Sequence, residues 1–411
     1  MSEPVRSLSP ADGLRGLGRE EATSDRQAPL RVHLVFPRLP PTPDGIGDYT
    51  ACLAGALAEH SRVKILTTQP THTPIPGVAV RQAFALEPTR GVQGLLDAVA
   101  EDPPDWLVLQ YNPFSYGRRG FNPHLPRVVR TLKQRHPALR LAVMVHEVAP
   151  PWLNARLVLM STWQLAQLWR LSRAADVLFV AIEPWVASFR RWFGKTPVHH
   201  LPVGSNMPYR PVARAEARRR LGLGDPTFVV GVFGTAHPTR LLDFVRAAAT
   251  ALRRETDAMQ VLYVGPDGAQ MQQRLEGFPV YDAGRVPPED ASRYFAAMDV
   301  CLAPFRRGVS TRRGSFMAAL QQGVATVSTY GSHTDMILQR ANGQAFLLAP
   351  DDDPNTFARY ACALLHDPAR RTRIAGRGQA LYQAAFDWNV LAAQLVEALN
   401  DPVGLSAGSP P

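Results

Sequence analysis

Short apolar runs alternate with helical patterns along this chain, and the alternation runs through twice with a break between. Segment 30–36 is an apolar, β-branched run closed by Pro37, and 63–67, 106–110, 141–146 and 177–182 are further runs of the same kind. Between them lie stretches with apolar residues three and four apart, such as 51–59 and the basic 126–136. Uninterrupted apolar strands separated by helices imply a parallel sheet covered on both faces. Segment 201–211 interrupts the pattern with three prolines and a Gly-Ser-Asn turn. The alternation then restarts, with strands expected at 228–233, 260–264, 280–283, 300–303 and 325–328 and helices at 241–254, 316–321, 356–365 and 389–399. The expected fold class is α/β, with two doubly wound parallel sheets in tandem and a ligand crevice at the carboxyl ends of both sets of strands.

The expected boundaries are a disordered leader at 1–29, a first domain at 30–205, a second at 206–385, a helix at 386–400 packing back on the first domain, and a disordered tail at 401–411. The length of 411 residues suits two domains, and a hydrophobic fraction of 45% fills two cores. No apolar run reaches the roughly 18–20 residues that span a bilayer. The first thirty residues carry both charge signs and no apolar stretch of the signal-peptide kind. Cys52, Cys301 and Cys362 lie far apart in apolar surroundings, with neither disulfide nor zinc spacing. They read as buried thiols of a reducing compartment, so the expected location is the cytoplasm.

The net charge is +10, and residues 1–210 hold 24 basic and 16 acidic side chains, which accounts for +8 of it. A basic first half can attract an anionic membrane surface or a phosphorylated partner. The expected contact is peripheral, at the inner membrane face. No nucleic-acid recognition motif is present, and aromatics do not interleave with the basic residues, so nucleic acid is not an expected partner.

Four loops carry chemistry. Gly45 and Gly47, followed by Asp48, precede a helix start, where glycine lets backbone approach a ligand and free amides can meet an anion or hydroxyl. His146-Glu147 ends the strand L-A-V-M-V-H-E and points toward the crevice; Glu183 lies at the equivalent end of a later strand, or serves there as a carboxylate favoured by a helix dipole. In the second half, Gly234-Thr235 opens a turn with Arg240 six residues on, a pattern that can hold a diphosphate. Finally, Gly308, Val309, Ser310 and Thr311 lie in a loop with Arg306, Arg307, Arg312 and Arg313 and are expected to present amides at the following helix start.

The order of G-I-G-D-Y, V-H-E, H-L-P-V-G-S-N, V-F-G-T with Arg240, G-R-V-P-P-E-D, D-V-C-L-A-P-F and G-S-F-M-A-A-L-Q-Q-G-V-A-T-V resembles the retaining GT-B glycosyltransferases of family 4 across residues 30 to 395. The resemblance implies two Rossmann-like domains with a cleft between them. It implies a hexosyltransferase that moves a sugar from a nucleotide diphosphate donor to a glycan, lipid-linked or small-molecule acceptor, in cell-envelope or exopolysaccharide synthesis. It implies no cofactor and no metal. By position it puts Gly45 and Gly47 against the donor phosphates and sugar, His146 near the transferred sugar, Arg240 in place of a diphosphate-binding lysine, and the phosphates on the helical turn after Gly308. His146 and Arg240 are the expected catalytic residues. This chain departs from the family's pattern at Thr235, where an arginine is usual, and at Ser310 and Ala318, where two glutamates are usual. A carboxylate that accepts two hydroxyls loses those bonds when alanine replaces it. A non-catalytic nucleotide-sugar-binding or scaffold protein is therefore the alternative reading.

Overall fold

The computed structural model describes residues 29–70, 73–148, 155–224 and 226–403; all but the last residue of the expected leader and most of the expected tail lie outside the described residues. The first sheet holds β1 (Arg31–Val35), β2 (Arg62–Thr67), β3 (Val78–Gln82), β4 (Trp106–Tyr111), β5 (Arg140–Val145), β6 (Val177–Val180) and β7 (Val198–His200). Its order is β3-β2-β1-β4-β5-β6-β7, and every pair is parallel. The second holds β8 (Phe228–Phe233), β9 (Met259–Val264), β10 (Val280–Asp282), β11 (Val300–Ala303), β12 (Thr326–Tyr330) and β13 (Leu347–Pro350), in the order β10-β9-β8-β11-β12-β13, again all parallel. The two expected Rossmann-like sheets are therefore present. Every residue of β4, β6 and β11 is buried, as strands covered by helices on both faces require.

The strands without a signal in the sequence are β3, β7 and β13, and all three are sheet edges. Edge strands are short and need not be apolar throughout. β3 is half-exposed and ends in Arg81-Gln82, β7 is Val198-His-His, and β13 ends in Pro350. The helix Ala155–Ala174 also escapes the apolar pattern, because polar side chains occupy its buried face. Gln164 and Gln167 donate to the carbonyls of Arg119 and Gly120, and Gln167 accepts from the amide of Asn122.

In each sheet the strand order reverses beside the first strand, between β1 and β4 and between β8 and β11. A crevice forms at the carboxyl end of such a switch point. The C-terminal helix Trp388–Asn400 returns to the first domain. Its Leu391, Leu395 and Leu399 share one core with Tyr49, Leu53 and Leu57 of the helix Gly45–Leu57.

A polar knot ties the domains together. Asp335, in the second domain and fully buried, accepts from the amide of Glu183 in the first (2.6 Å) and from that of Thr311 (2.7 Å). The Thr311 hydroxyl donates to the Ala181 carbonyl (3.0 Å) and lies 2.8 Å from His200 Nε2. Asp335→Asn replaces an acceptor oxygen with a donor and orphans one of the two amides. It should cost about 1–2 kcal/mol in chemical denaturation. Unchanged stability would mean that the knot carries no net energy.

Cys301 is buried, whereas Cys52 and Cys362 are only partly so, which corrects the reading of three buried thiols. No helix among the described residues is long and apolar enough to cross a membrane.

Candidate functional site

A cleft of about 1310 Å³ lies between the domains at the carboxyl ends of both sheets. The loops after β1, β4, β5, β8 and β11 all reach it, supplying Gly45, Asn112, His146, Gly234 and Phe305. Asp48, Glu147, Thr235 and Arg240 also line it. Gly47, Glu183, Gly308, Val309, Ser310 and Thr311 do not, and each has a physical reason to lie elsewhere.

The first correction concerns the turn after β1. The helix begins at Gly45, so both glycines are in its first turn and not ahead of it. The Asp44 carboxylate caps that turn by accepting from the amides of Ile46 (2.9 Å) and Gly47 (3.1 Å), while Arg38 pairs with the same carboxylate at 2.8 Å. The Ile46 and Gly47 amides are already used, and the Asp44 and Asp48 carboxylates at this helix start disfavour an anion there. Gly45 faces open space, whereas a Cβ on Gly47 would come 2.5 Å from the Arg38 carbonyl oxygen. Gly47 is glycine for packing.

The second correction concerns the loop after β11. Gly308 donates its amide to Phe305 (3.0 Å), Val309 to Thr329 of β12 (2.7 Å), and Thr311 to Asp335. Gly308 has φ +83°, and a Cβ there would meet Gly331 and Thr334 at 2.3 Å. The loop is a buried turn behind the cleft wall, with Ser310 only 1% exposed. Arg306 and Arg307 lie outside the cleft, and the Arg307 amide binds Asp351. Glu183 is held in the interdomain knot, where its carboxylate also accepts from the Met336 amide.

The helix that faces the cleft is Gly314–Gln321, two residues earlier than the expected 316–321, and its start lies beyond the loop from Gly308 to Thr311 that was expected to present the amides. Gly314 and Ser315 line the cleft, and their amides have no acceptor among the described residues. Free amides at a helix start attract anions. A Gly-Ser pair at the head of an apolar run is the signal that could have found them. Gly234, at φ +97°, lets this helix start approach, since a Cβ would stand 3.2 Å from the Ser315 Cβ.

Arg240 lies beside these amides. Its Nη2 donates to the Phe233 carbonyl (2.8 Å) and the Ser315 hydroxyl (3.2 Å), and its guanidinium stands 5.1 Å from the centre of the Phe305 ring. Its Nε and Nη1 are buried with no partner. Burial lowers its pKa below the ordinary value. A buried guanidinium with unmet N–H groups and no carboxylate is costly, and an incoming anion relieves that cost.

Across the cleft, His146 shares a 2.7 Å hydrogen bond between Nε2 and the Gln110 side-chain oxygen, and its ring packs edge-on against Tyr49. Burial pushes its pKa down to about 3, so the ring is neutral near pH 7. With the proton held at Nε2, Nδ1 remains a lone-pair acceptor. Two polar bonds cross between the domains here: Arg312 to Glu147 (3.2 Å) and Asn206 to Asp48 (2.8 Å). Burial raises the Asp48 carboxyl above its usual range. Asn206 of the segment H-L-P-V-G-S-N, Arg285 of G-R-V-P-P-E-D, and Trp388 also line the cleft, though none of them was expected as a site residue. Among the described residues no group of three or more His, Cys, Asp or Glu could hold a metal ion.

The half of the chain that carries Arg240 and Gly314 also matches a known family. Residues 227–367 fit the model described as Glycosyl transferases group 1. The D-inositol 3-phosphate glycosyltransferase of Streptosporangium roseum is 26% identical over 219 residues, which cover 50% of this chain and 49% of that protein. The chain spans about half the length of the curated relatives it matches. Sucrose-phosphate synthase of Thermosynechococcus elongatus superimposes with a TM-score of 0.71 at 19% identity, covering 91% of this chain and 99% of that one. The Anabaena protein HepE, solved with UDP-glucose, gives 0.64 at 15% identity, covering 90% and 99%. At these identities the structural likenesses establish the fold, which is that of the GT-B glycosyltransferases.

Proposed function

We propose that the protein is a retaining glycosyltransferase that moves a hexose from a nucleotide diphosphate donor to an acceptor held on the first-domain side of the cleft. The observation that carries this reading is the buried Arg240, with its Nε and Nη1 unpartnered, beside the free amides of Gly314 and Ser315. The match of residues 227–367 to Glycosyl transferases group 1, and the glycosyltransferases among the relatives, support it.

In this reading the bond from the sugar's anomeric carbon to the phosphate oxygen breaks, and its electron pair stays on the diphosphate. Arg240 and the two amides stabilise that developing charge, and stabilisation of this kind is usually the main source of rate in a group transfer. The acceptor hydroxyl attacks from the same face and passes its proton to the departing phosphate oxygen. His146, neutral, accepts a sugar hydroxyl at Nδ1 and orients the ring. The step uses no metal or cofactor. The acceptor is a glycan, a lipid-linked sugar or a small molecule of envelope or exopolysaccharide synthesis, and the setting is cytoplasmic. Release of nucleoside diphosphate from a panel of nucleotide sugars, with and without mixed acceptors, tests the reading.

A specific feature favours a second reading, a binding or scaffold protein without turnover. Ser310 and Ala318 are both buried and neither is acidic, so no carboxylate from these positions reaches the donor. Tight nucleotide-sugar binding with no product from any acceptor would favour it.

A membrane contact completes the proposal. Phe121 is 50% exposed and Leu159 62% exposed. Leu159 lies one helical turn before Trp163, which packs on Phe121 and donates to the Arg119 carbonyl, and Arg118 and Arg119 are exposed beside them. Apolar tips ringed by arginine suit an anionic bilayer surface. The chain should co-sediment with phosphatidylglycerol vesicles and not with phosphatidylcholine vesicles, and Phe121→Ser with Leu159→Ser should lower binding about tenfold. Equal binding by the variant would show that this patch makes no membrane contact.

A further inference from the structure

We propose that Arg313 is the second cation of the diphosphate site, supplying the charge that the Gly234 turn lacks at Thr235. The inference rests on the nucleotide-diphosphate reading above and adds a residue to it. A diphosphate brings at least two negative charges, and the turn after β8 offers one buried cation, Arg240. Thr235, exposed to the cleft, contributes only a hydroxyl.

Arg313 comes to the same place from the other side. Its guanidinium stands 4.6 Å from the centre of the Phe305 ring, the ring that also carries Arg240 at 5.1 Å. Arg313 is the residue immediately before Gly314, so its charge is set beside the free helix-start amides. It makes no ion pair or side-chain hydrogen bond among the described residues, and its Nε is buried without a partner. Two guanidiniums on one aromatic ring repel each other, and the ring's π-face offsets only part of that. A ligand with two adjacent anionic groups satisfies both. Burial and the neighbouring Arg312 push the Arg313 pKa down to about 9, so the side chain still carries its charge near pH 7.

The other arginines of the same loop do not compete for this role. Arg312 turns the opposite way, onto the Trp185 ring at 5.3 Å and the Glu147 carboxylate at 3.2 Å. Arg306 and Arg307 lie outside the cleft.

The test uses the full chain, calorimetry with UDP, GDP and the corresponding monophosphates, and thermal melting on the same preparations. For the nucleotide that the wild type binds, Arg313→Ala should weaken the diphosphate about tenfold or more. The monophosphate should change much less, so the gap between them narrows. Arg313→Gln, which keeps a planar group on Phe305, should lose the same affinity. Adding Thr235→Arg to Arg313→Ala should recover most of it, because the exposed 235 position faces the same cleft. Wild-type diphosphate affinity in both single variants would overturn the inference, as would equal losses for mono- and diphosphate. A wild-type protein that binds neither UDP nor GDP would instead overturn the function reading on which it rests.

Discussion

Arg240→Ala should weaken nucleoside diphosphate binding by about a hundredfold, roughly 3 kcal/mol, the worth of one or two charge-assisted hydrogen bonds in a dry site. The guanidinium is enclosed, and two of its nitrogens have nothing to donate to among the described residues. The ligand-free melting temperature should change little, because losing the packing over Phe305 is offset by removing an unpaired buried charge. Arg240→Lys should recover only part of the affinity, since an ammonium restores charge but not the planar fork. Calorimetry on the three proteins checks this. Equal affinities would move the anion site away from the β8 turn.

His146→Ala should lower kcat tenfold to a hundredfold per folded molecule, with a smaller effect on nucleotide affinity. The ring is in the cleft wall opposite Arg240, neutral, with one nitrogen fixed by Gln110 and the other left as an acceptor. Losing a contact that orients the reacting sugar lowers turnover more than binding. Stability should fall too, by about 1–3 kcal/mol, because the Gln110 oxygen loses its donor beside a Gln110 Nε2 that is already unpartnered. The assay therefore belongs well below the melting transition.

The pH dependence has a definite sign. The folded pKa of His146, about 3, lies below the unfolded value of 6.5, so the unfolded chain binds more protons between them. The contribution of His146 to stability is complete above about pH 6.5 and is lost as pH falls toward 3. The alanine variant should lose this acid-side slope. The pH–rate profile should show no inflection from this ring above about pH 5. A kcat that holds while melting falls would make the histidine structural.

Ten strands were legible because nine of them lie inside their sheets and carry mostly apolar runs; the tenth, β10, is an edge. The edge strands β3, β7 and β13 were not, since an edge tolerates Arg81, His199 or Pro350. The cleft was partly legible. His146 and Arg240 stand at strand ends and turns, where residue type and position together point into a crevice. The loop from Gly308 to Thr311 misled because a sequence shows which amides a glycine or serine can offer but not which are already taken. Here β12 and Asp335 claim those of Val309 and Thr311, and the free pair falls at Gly314 and Ser315. The Asp44 cap hides in the same way behind Gly45 and Gly47. Arg313 was visible only as one cation of a basic run, since nothing in the sequence places its guanidinium on the same ring as that of Arg240.

Whether the cleft holds a nucleotide diphosphate against the second domain is tested most directly by a crystal structure of the full chain grown with UDP or GDP, whichever binds. Diphosphate density is expected with its oxygens about 3 Å from the Arg240 guanidinium and from the amides of Gly314 and Ser315. A nucleotide seated instead on the Asp44-capped helix of the first domain, or bound with its phosphates pointing away from Arg240, would contradict it.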